Sequence, residues 1–239
     1  MVNKLELVYE GKAKRVYWTS DRDTVWIEFK DDATAFDGEK KAVIEGKGVL
    51  NASISTHLFK ILQREGIPNH YIETLSPKDM LAEAVNIVPV ECVIRNITAG
   101  SLAKRMGVKE GITLKSPVLE YYYKNDELHD PMINEYHIEA FDLADSGEVK
   151  TIKDYCFDIN AILAYEFDKV GLTLVDLKLE FGIDKFGQVV LADEISPDTC
   201  RLWDTETGDK LDKDVFRRDL GGLVEAYQEV WKRLQLNQQ

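Results

Sequence analysis

The stretch at residues 174–180, LVDLKLE, constrains the fold more than any other part of the chain. A strand turns successive side chains to opposite faces, so Asp176, Lys178 and Glu180 share one side while Val175, Leu177 and Leu179 take the other. An apolar face behind three ionisable groups describes a strand covered on both sides, and it counts against a surface strand with a mere cross-strand ion pair. A second strand-like run at 188–195 follows through Asp184-Lys185-Phe186-Gly187, a hairpin signal. With Ile183 paired to Gln188, Lys178 lies opposite Asp193 on the charged face. Two or three carboxylates beside one lysine suit Mg²⁺ bridging phosphate oxygens, because hard cations take oxygen ligands and the ammonium can steady a transferred group.

The remaining pattern is that of an α+β chain. Alternating runs up to Gly11, over 15–19 and over 25–29 predict a small antiparallel sheet. Leu50, Ile54, Leu58, Ile61 and Leu62 recur at helical spacing and predict a helix over 48–65 that covers it, stopped by Gly66 and Pro68. Val88-Pro89-Val90 interrupts the next apolar runs, since proline cannot donate into a ladder, and places a lobe boundary between 88 and 89, giving lobes 1–88 and 89–239. A short helix over 98–106 capped by Thr98, a strand over 118–123, a turn-rich stretch at 124–134 and a helix over 152–170 follow. One closing helix carries Phe216, Leu220, Leu223, Tyr227, Trp231 and Leu234 on one face.

Charge and composition narrow the function. With 30 basic and 43 acidic side chains among 239 residues, the net charge of −13 repels phosphate on average, which argues against nucleic acid or an anionic membrane as partner. An anionic small molecule must then be held by local cations. The N-terminus lacks a secretory layout, and no apolar run approaches a bilayer span. Cys92, Cys156 and Cys200 lack zinc or redox spacing and read as packed thiols in a reducing cytoplasm, and no two of the four histidines have metal-ligand spacing.

Three further clusters carry chemistry. Gly11-Lys12-Ala13-Lys14-Arg15 sets three cations on a glycine turn between two strands; it is neither a Walker A loop nor the kinase glycine loop, and by itself it reads as either a phosphate lid or a solvated hairpin tip. At Arg95-Asn96-Ile97-Thr98-Ala99-Gly100-Ser101 a strand ends in a cation and a helix starts, so Arg95 and Ser101 suit a phosphate monoester, with simple capping by Thr98 the even alternative. Asp193-Glu194-Ile195-Ser196-Pro197-Asp198-Thr199-Cys200-Arg201 runs from the carboxylate strand to an arginine that can reach a ligand at Asp193 and Lys178.

At these residues the chain resembles the SAICAR synthetase family over nearly its whole length. The segments that carry the likeness are Tyr9-Glu10-Gly11-Lys12-Ala13-Lys14, Pro89-Val90-Glu91-Cys92-Val93-Ile94-Arg95-Asn96, Ala99-Gly100-Ser101-Leu102 with Lys104-Arg105, His129-Asp130-Pro131, Asp176-Leu177-Lys178-Leu179-Glu180-Phe181-Gly182, and Asp193-Glu194-Ile195-Ser196-Pro197-Asp198 with Arg201-Leu202-Trp203-Asp204. The resemblance implies a two-lobed α+β nucleotide-binding fold of antiparallel sheets and flanking helices, with ATP in the cleft between lobes, a site related to those of protein kinases and ATP-grasp enzymes. It implies ATP-dependent joining of 5-aminoimidazole ribonucleotide 4-carboxylate (CAIR) to L-aspartate. Gly11, Lys12, Ala13 and Lys14 then cover the ATP phosphates with Lys124 touching ribose or phosphate, and the adenine lies near 87–90. Glu180 and Asp193 hold Mg²⁺, Lys178 steadies the reacting groups, and Arg95, Ser101 and Arg201 take the nucleotide's 5′-phosphate. A homodimer is the family's implication for assembly. Asp176 and Asp130 stay open between structure and catalysis. The rivals are a small-molecule kinase on a related fold and a non-catalytic nucleotide sensor.

Overall fold

The alternating runs near the N-terminus pair as antiparallel hairpins. In the computed structural model, which describes residues 2–35 and 39–236, β1 (Lys4–Glu10), β2 (Lys14–Thr19) and β3 (Thr24–Phe29) are consecutive neighbours. β4 (Asp32–Ala35) and β5 (Lys40–Val43) form a separate two-stranded hairpin. After α1 (Lys47–Arg64), β6 (Tyr71–Ser76) and β7 (Asp79–Glu83) complete a five-stranded sheet in the order β1-β2-β3-β7-β6. The predicted stripe of α1 is buried where the helix packs on β3, β6 and β7. Burial of five such side chains, roughly 1.5–3 kcal/mol each, holds the helix where propensity alone would leave it marginal.

The chain crosses to a second antiparallel sheet at residues 84–85. That sheet contains β8 (Asn86–Ile97), β9 (Thr113–Tyr123), β10 (Met132–Ile133), β11 (Leu172–Ile183) and β12 (Val189–Ala192) in the order β10-β9-β8-β11-β12, with β13 (Cys200–Asp204) also paired to β11. Between β8 and β9 lies α2 (Gly100–Met106), and α3 (Glu135–Ala140) follows β10. α4 (Ser146–Asp168) covers the apolar face of β11, β8 and β9. It starts six residues before the predicted position because Asp145 and Glu148 make a capping box, satisfying its first N–H groups. The three cysteines are free thiols buried in this packing.

Four details depart from the sequence reading. Pro89 does not interrupt a strand: β8 runs through it, and Pro89 sits where the ladder to β11 shifts register between Glu180–Glu91 and Gly182–Ile87. A bulge tolerates the missing donor, while the Pro89 carbonyl accepts from the Lys124 N–H at 3.0 Å. Thr98 does not cap α2; its hydroxyl donates to the Lys109 carbonyl and accepts from the Ile112 N–H, tying down the loop before β9. The hairpin register is one residue off the predicted one, with Ile183 opposite Val189 and Glu180 opposite Ala192, so Lys178 does not face Asp193 across a ladder. Its strand neighbour is Val93 of β8. The single closing helix is two, α5 (Asp214–Arg217) and α6 (Leu223–Leu236), because Asp219, Gly221 and Gly222 take positive φ, and Leu220 is left exposed.

α1 has a second duty besides covering the first sheet. Its opening residue is Lys47, a cation at the positive end of a helix with no side-chain cap and no solvent exposure. The ammonium donates to Asp198 Oδ2 at 2.5 Å, and the same carboxylate accepts from the Tyr227 hydroxyl of α6 at 2.6 Å. About two turns along, Ser55 Oγ accepts from the Ile195 N–H at 3.1 Å. The helix thereby pins residues 193–198, which leave the second sheet, onto the first lobe. Lys47→Met keeps the length and removes the charge, leaving buried Asp198 without its hydrogen-bonded cation and with only the more distant Lys213 ammonium at 3.8 Å beside it. Because Lys213 and the Tyr227 hydroxyl remain, it should destabilise the protein by about 2–3 kcal/mol in urea unfolding at neutral pH.

Candidate active site

Cross-strand pairing on β11 assembles the first half of the site. Asp176 is directly opposite Arg95 of β8 on one side and Arg201 of β13 on the other. Its carboxylate accepts from Arg95 Nη1 at 3.0 Å and from Arg201 Nη1 at 2.8 Å. Arg95 also donates to Glu120 of β9 at 2.9 Å and to Ser101 Oγ at 3.1 Å, while Arg201 Nε reaches Asp214 of α5 at 3.1 Å. Burial alone would lower both guanidinium pKa values; the Asp176 charge, then Glu120 beside Arg95 and Asp214 beside Arg201, raises them above their ordinary range. The result is a fixed pair of cations beside the first turn of α2, with the third predicted anion contact, Ser101, already hydrogen-bonded to it.

Two and four residues further along the same strand face, roughly 7 and 13 Å away at ~3.3 Å per residue, stand Lys178 and Glu180. Glu180 lies directly opposite Glu91 of β8, a like-charge pair that would repel, and Lys178 resolves it by donating to both carboxylates. Lys124, at the end of β9, pairs with the other Glu180 oxygen at 2.9 Å. From the first lobe, Lys14 reaches Asp193 at 2.6 Å and Glu194 at 3.6 Å. Burial would raise the Asp193 carboxyl, but the ammonium groups of Lys14, Lys178 and Lys124 override it and hold that carboxyl well below its usual range. For Glu194 and Glu91 burial wins, and both are raised despite their lysine partners. Burial presses Lys178 toward neutrality, and Glu180, Asp193 and Glu91 together push it well above an ordinary lysine. Every lysine here is a firm cation.

Asp193 reaches this cluster by an unpredicted route. Since Ala192 is opposite Glu180 and so shares its face, the next residue would point away if the strand continued. Asp193 instead takes φ +61, leaves the ladder, and swings its carboxylate back among the lysines. Beside it, His70 is buried and held neutral by burial and by the Lys14 charge, its pKa lowered to about 4.

The two halves line one cleft of about 1560 Å³ between the sheets. Val16, Val25, Ile27, Ala84 and Ile87 give it an apolar end, and the clusters above give it a charged one. Of the predicted lid, only Lys14 enters the charged cluster. Lys12 pairs with Asp126 at 2.7 Å across the cleft mouth, Gly11 donates to the Lys14 carbonyl to close the turn, and the Ala13 carbonyl accepts from the Lys30 N–H. Glu91, Glu194 and Asp198 also line the cleft, and Asp214 holds Arg201 from behind it; of these, Glu91 and Asp214 are the additions to the sequence reading. Glu91 was readable, since 91, 93 and 95 alternate onto the face of Arg95; Asp214 had no local signal. Among the described residues no group of three His, Cys, Asp or Glu side chains is assembled for a metal ion. Glu180 and Asp193 offer two hard oxygen donors, and two carboxylates completed by phosphate oxygens fit the way Mg²⁺ is held.

Comparison with known proteins agrees with this geometry. The SAICAR synthetase family profile matches residues 7–234. A phosphoribosylaminoimidazole-succinocarboxamide synthase of Bacillus cytotoxicus is 54% identical over 233 residues, 98% of either chain. The crystal structure of the enzyme of that name from Ehrlichia chaffeensis superposes with a TM-score of 0.95 at 47% identity, covering 96% of this chain and 98% of that one. A SAICAR synthetase in complex with ADP superposes at 0.93 with 52% identity, covering 96% and 97%. A likeness that runs through both sheets and the cleft between them, at about half of all positions and without a missing segment of any size, is that of common descent: the chain belongs to the SAICAR synthetase family.

Proposed function

We propose that the cleft joins CAIR to L-aspartate, converting ATP to ADP and phosphate and releasing SAICAR. The observation that carries this reading is the placement on one strand of a two-arginine clamp at Asp176 and a lysine–carboxylate cluster at 178–180. They stand roughly 7 to 13 Å apart along β11 at ~3.3 Å per residue, so one anionic ligand can meet the arginines with one end and the lysine–carboxylate cluster with the other. The relative solved with ADP supports the nucleotide half of the assignment.

A carboxylate resists attack by an amine until one of its oxygens becomes a leaving group. In this reading the CAIR carboxylate attacks the γ-phosphorus of ATP, ADP leaves, and an acyl phosphate forms. The aspartate amine then adds to the acyl carbon, phosphate departs, and the amine loses a proton. Arg95, Ser101 and Arg201 hold the 5′-phosphate and so fix where the carboxylate lies. Lys178 and Lys124 carry positive charge toward the transferring group, and Lys14 and Lys12 approach from the first lobe. Glu180 and Asp193 would hold Mg²⁺, whose contribution is to neutralise phosphate charge. Asp176, already accepting from both arginines, serves as their anchor and is poorly suited to take the amine proton.

Phosphate release should depend on CAIR and L-aspartate together and match SAICAR formation mole for mole; a stable phosphorylated product would mark a kinase instead. Asp193→Asn should lower kcat by about 10³-fold or more while circular dichroism and melting stay near wild type. Gly100 tests the clamp separately. It begins α2 at φ +52, and a Cβ there would stand 2.5 Å from Arg201 Nη2. Gly100→Ala should displace that guanidinium and raise KM for CAIR about tenfold, with kcat and KM for ATP nearly unchanged in steady-state kinetics.

A further inference from the structure

The outer side of the arginine clamp is closed by a carboxylate that takes no part in the chemistry above. Glu120 lies on β9 opposite Val93, on the face that also carries Arg95 and Tyr122, so Arg95 meets it diagonally across the β8–β9 pairing. Its Oε2 accepts from Arg95 Nε at 3.0 Å and from Arg95 Nη2 at 2.9 Å, the edge of the guanidinium that Asp176 leaves open. The Tyr122 hydroxyl donates to the same oxygen at 2.8 Å. Oε1 accepts from Arg105 Nη2, and Arg105 Nη1 donates to the Tyr122 hydroxyl at 3.3 Å. The Glu120 side chain is 9% exposed, so water cannot stand in for it if the charge is removed.

Arg105 belongs to the last turn of α2, the helix whose first turn presents Ser101 to the cleft. α2 spans seven residues, takes no side-chain cap from Ala99, and buries Leu102 and Ala103 of its own side chains, so propensity and packing fix it weakly. Polar ties at its two ends supply the rest. Glu110 accepts from the Gly100 N–H at 2.9 Å at the start, and Glu120 accepts from Arg105 at the finish. The Ser101 hydroxyl in turn accepts from Arg95 Nη2 at 3.1 Å. One carboxylate therefore sets both partners of that contact: it clasps Arg95 directly, and through Arg105 it holds the helix on which Ser101 sits. Asp176 cannot do the same, because its oxygens are turned to Arg95 and Arg201. We propose that Glu120 is a positioning residue for the substrate's 5′-phosphate, aligning Arg95 with Ser101 by bridging β8 to α2. This rests on the reading of Arg95 and Ser101 as the phosphate contacts.

The test is steady-state kinetics of Glu120→Gln with CAIR and with its nucleoside, which lacks the 5′-phosphate. Glutamine keeps the shape, removes the charge and turns an NH₂ toward one of the two guanidinium groups. KM for CAIR should rise about tenfold, with kcat and KM for ATP within about twofold of wild type. With the nucleoside, kcat/KM of Glu120→Gln should match wild type within about twofold, because no phosphate is there for the aligned groups to hold. Arg105→Gln, at an exposed position, cuts only the tie to α2 and should raise KM for CAIR about threefold. Added to Glu120→Gln it should cost little more, since both break one bridge. If Glu120→Gln does not fold, Arg105→Gln decides by the same split between CAIR and nucleoside. A folded Glu120→Gln or Arg105→Gln with wild-type KM for CAIR overturns the proposal. So does equal loss on CAIR and nucleoside, a loss confined to kcat, or full additivity of the two substitutions. Wild-type enzyme that turns over the nucleoside as efficiently as CAIR would instead overturn the 5′-phosphate reading of the clamp.

Discussion

Charges on the inner face of a buried strand have to be neutralised by neighbours fixed in the sheet, and β11 meets that requirement twice. Asp176 is flanked by Arg95 and Arg201, and the opposed pair Glu91 and Glu180 is bridged by Lys178. Neither arrangement survives alone. Without Asp176 two buried guanidinium groups would face each other, and without Lys178 two buried carboxylates would. The neighbours that neutralise come from β8 and β13, so the strand order around β11 and the charge pattern on it are one constraint. A slip of one residue on either side would turn an arginine into the apolar layer under α4.

The same requirement explains why a chain of net charge −13 can hold an anionic substrate. The cations that matter are not spread over the surface, where the acidic excess would dominate. They are gathered in the cleft, each locked to a carboxylate that keeps it protonated and directed. An arriving phosphate enters a field already organised for it, with little side-chain ordering left to do.

The first lobe is more than a lid. α1 presents its apolar stripe to one sheet, and its Lys47 and Ser55 reach the segment leaving the other. The strap after it pairs with β12 through Leu191. The main apolar cluster is continuous from β3 and α1 through β8 and β11 to α4, which makes the cleft a groove between two sheets that share a core. A site residue such as Asp193 therefore takes its position from both lobes at once.

Much of this was written into the local sequence. Alternation at 174–180 determined which face of β11 carries charge, and helical spacing at 50–62 determined the face α1 buries, because strand and helix periods act over a few residues and need no partner. The segments shared with the family located Lys14, Arg95, Ser101, Lys178, Glu180, Asp193 and Arg201 in the cleft. What the residues could not declare were the matters settled by pairing across distance. Pro89 reads as a breaker until a bulge opposite β11 removes the need for its N–H, and Thr98 reads as a cap until its hydroxyl finds Lys109 and Ile112. The turn at 184–187 allows two registers, and only the packing of both strands selects the one that puts Ala192 opposite Glu180. That choice would have sent Asp193 to the wrong face. The left-handed turn that brings it back is held by residues more than a hundred positions away, and no local pattern in the chain records a contact of that kind.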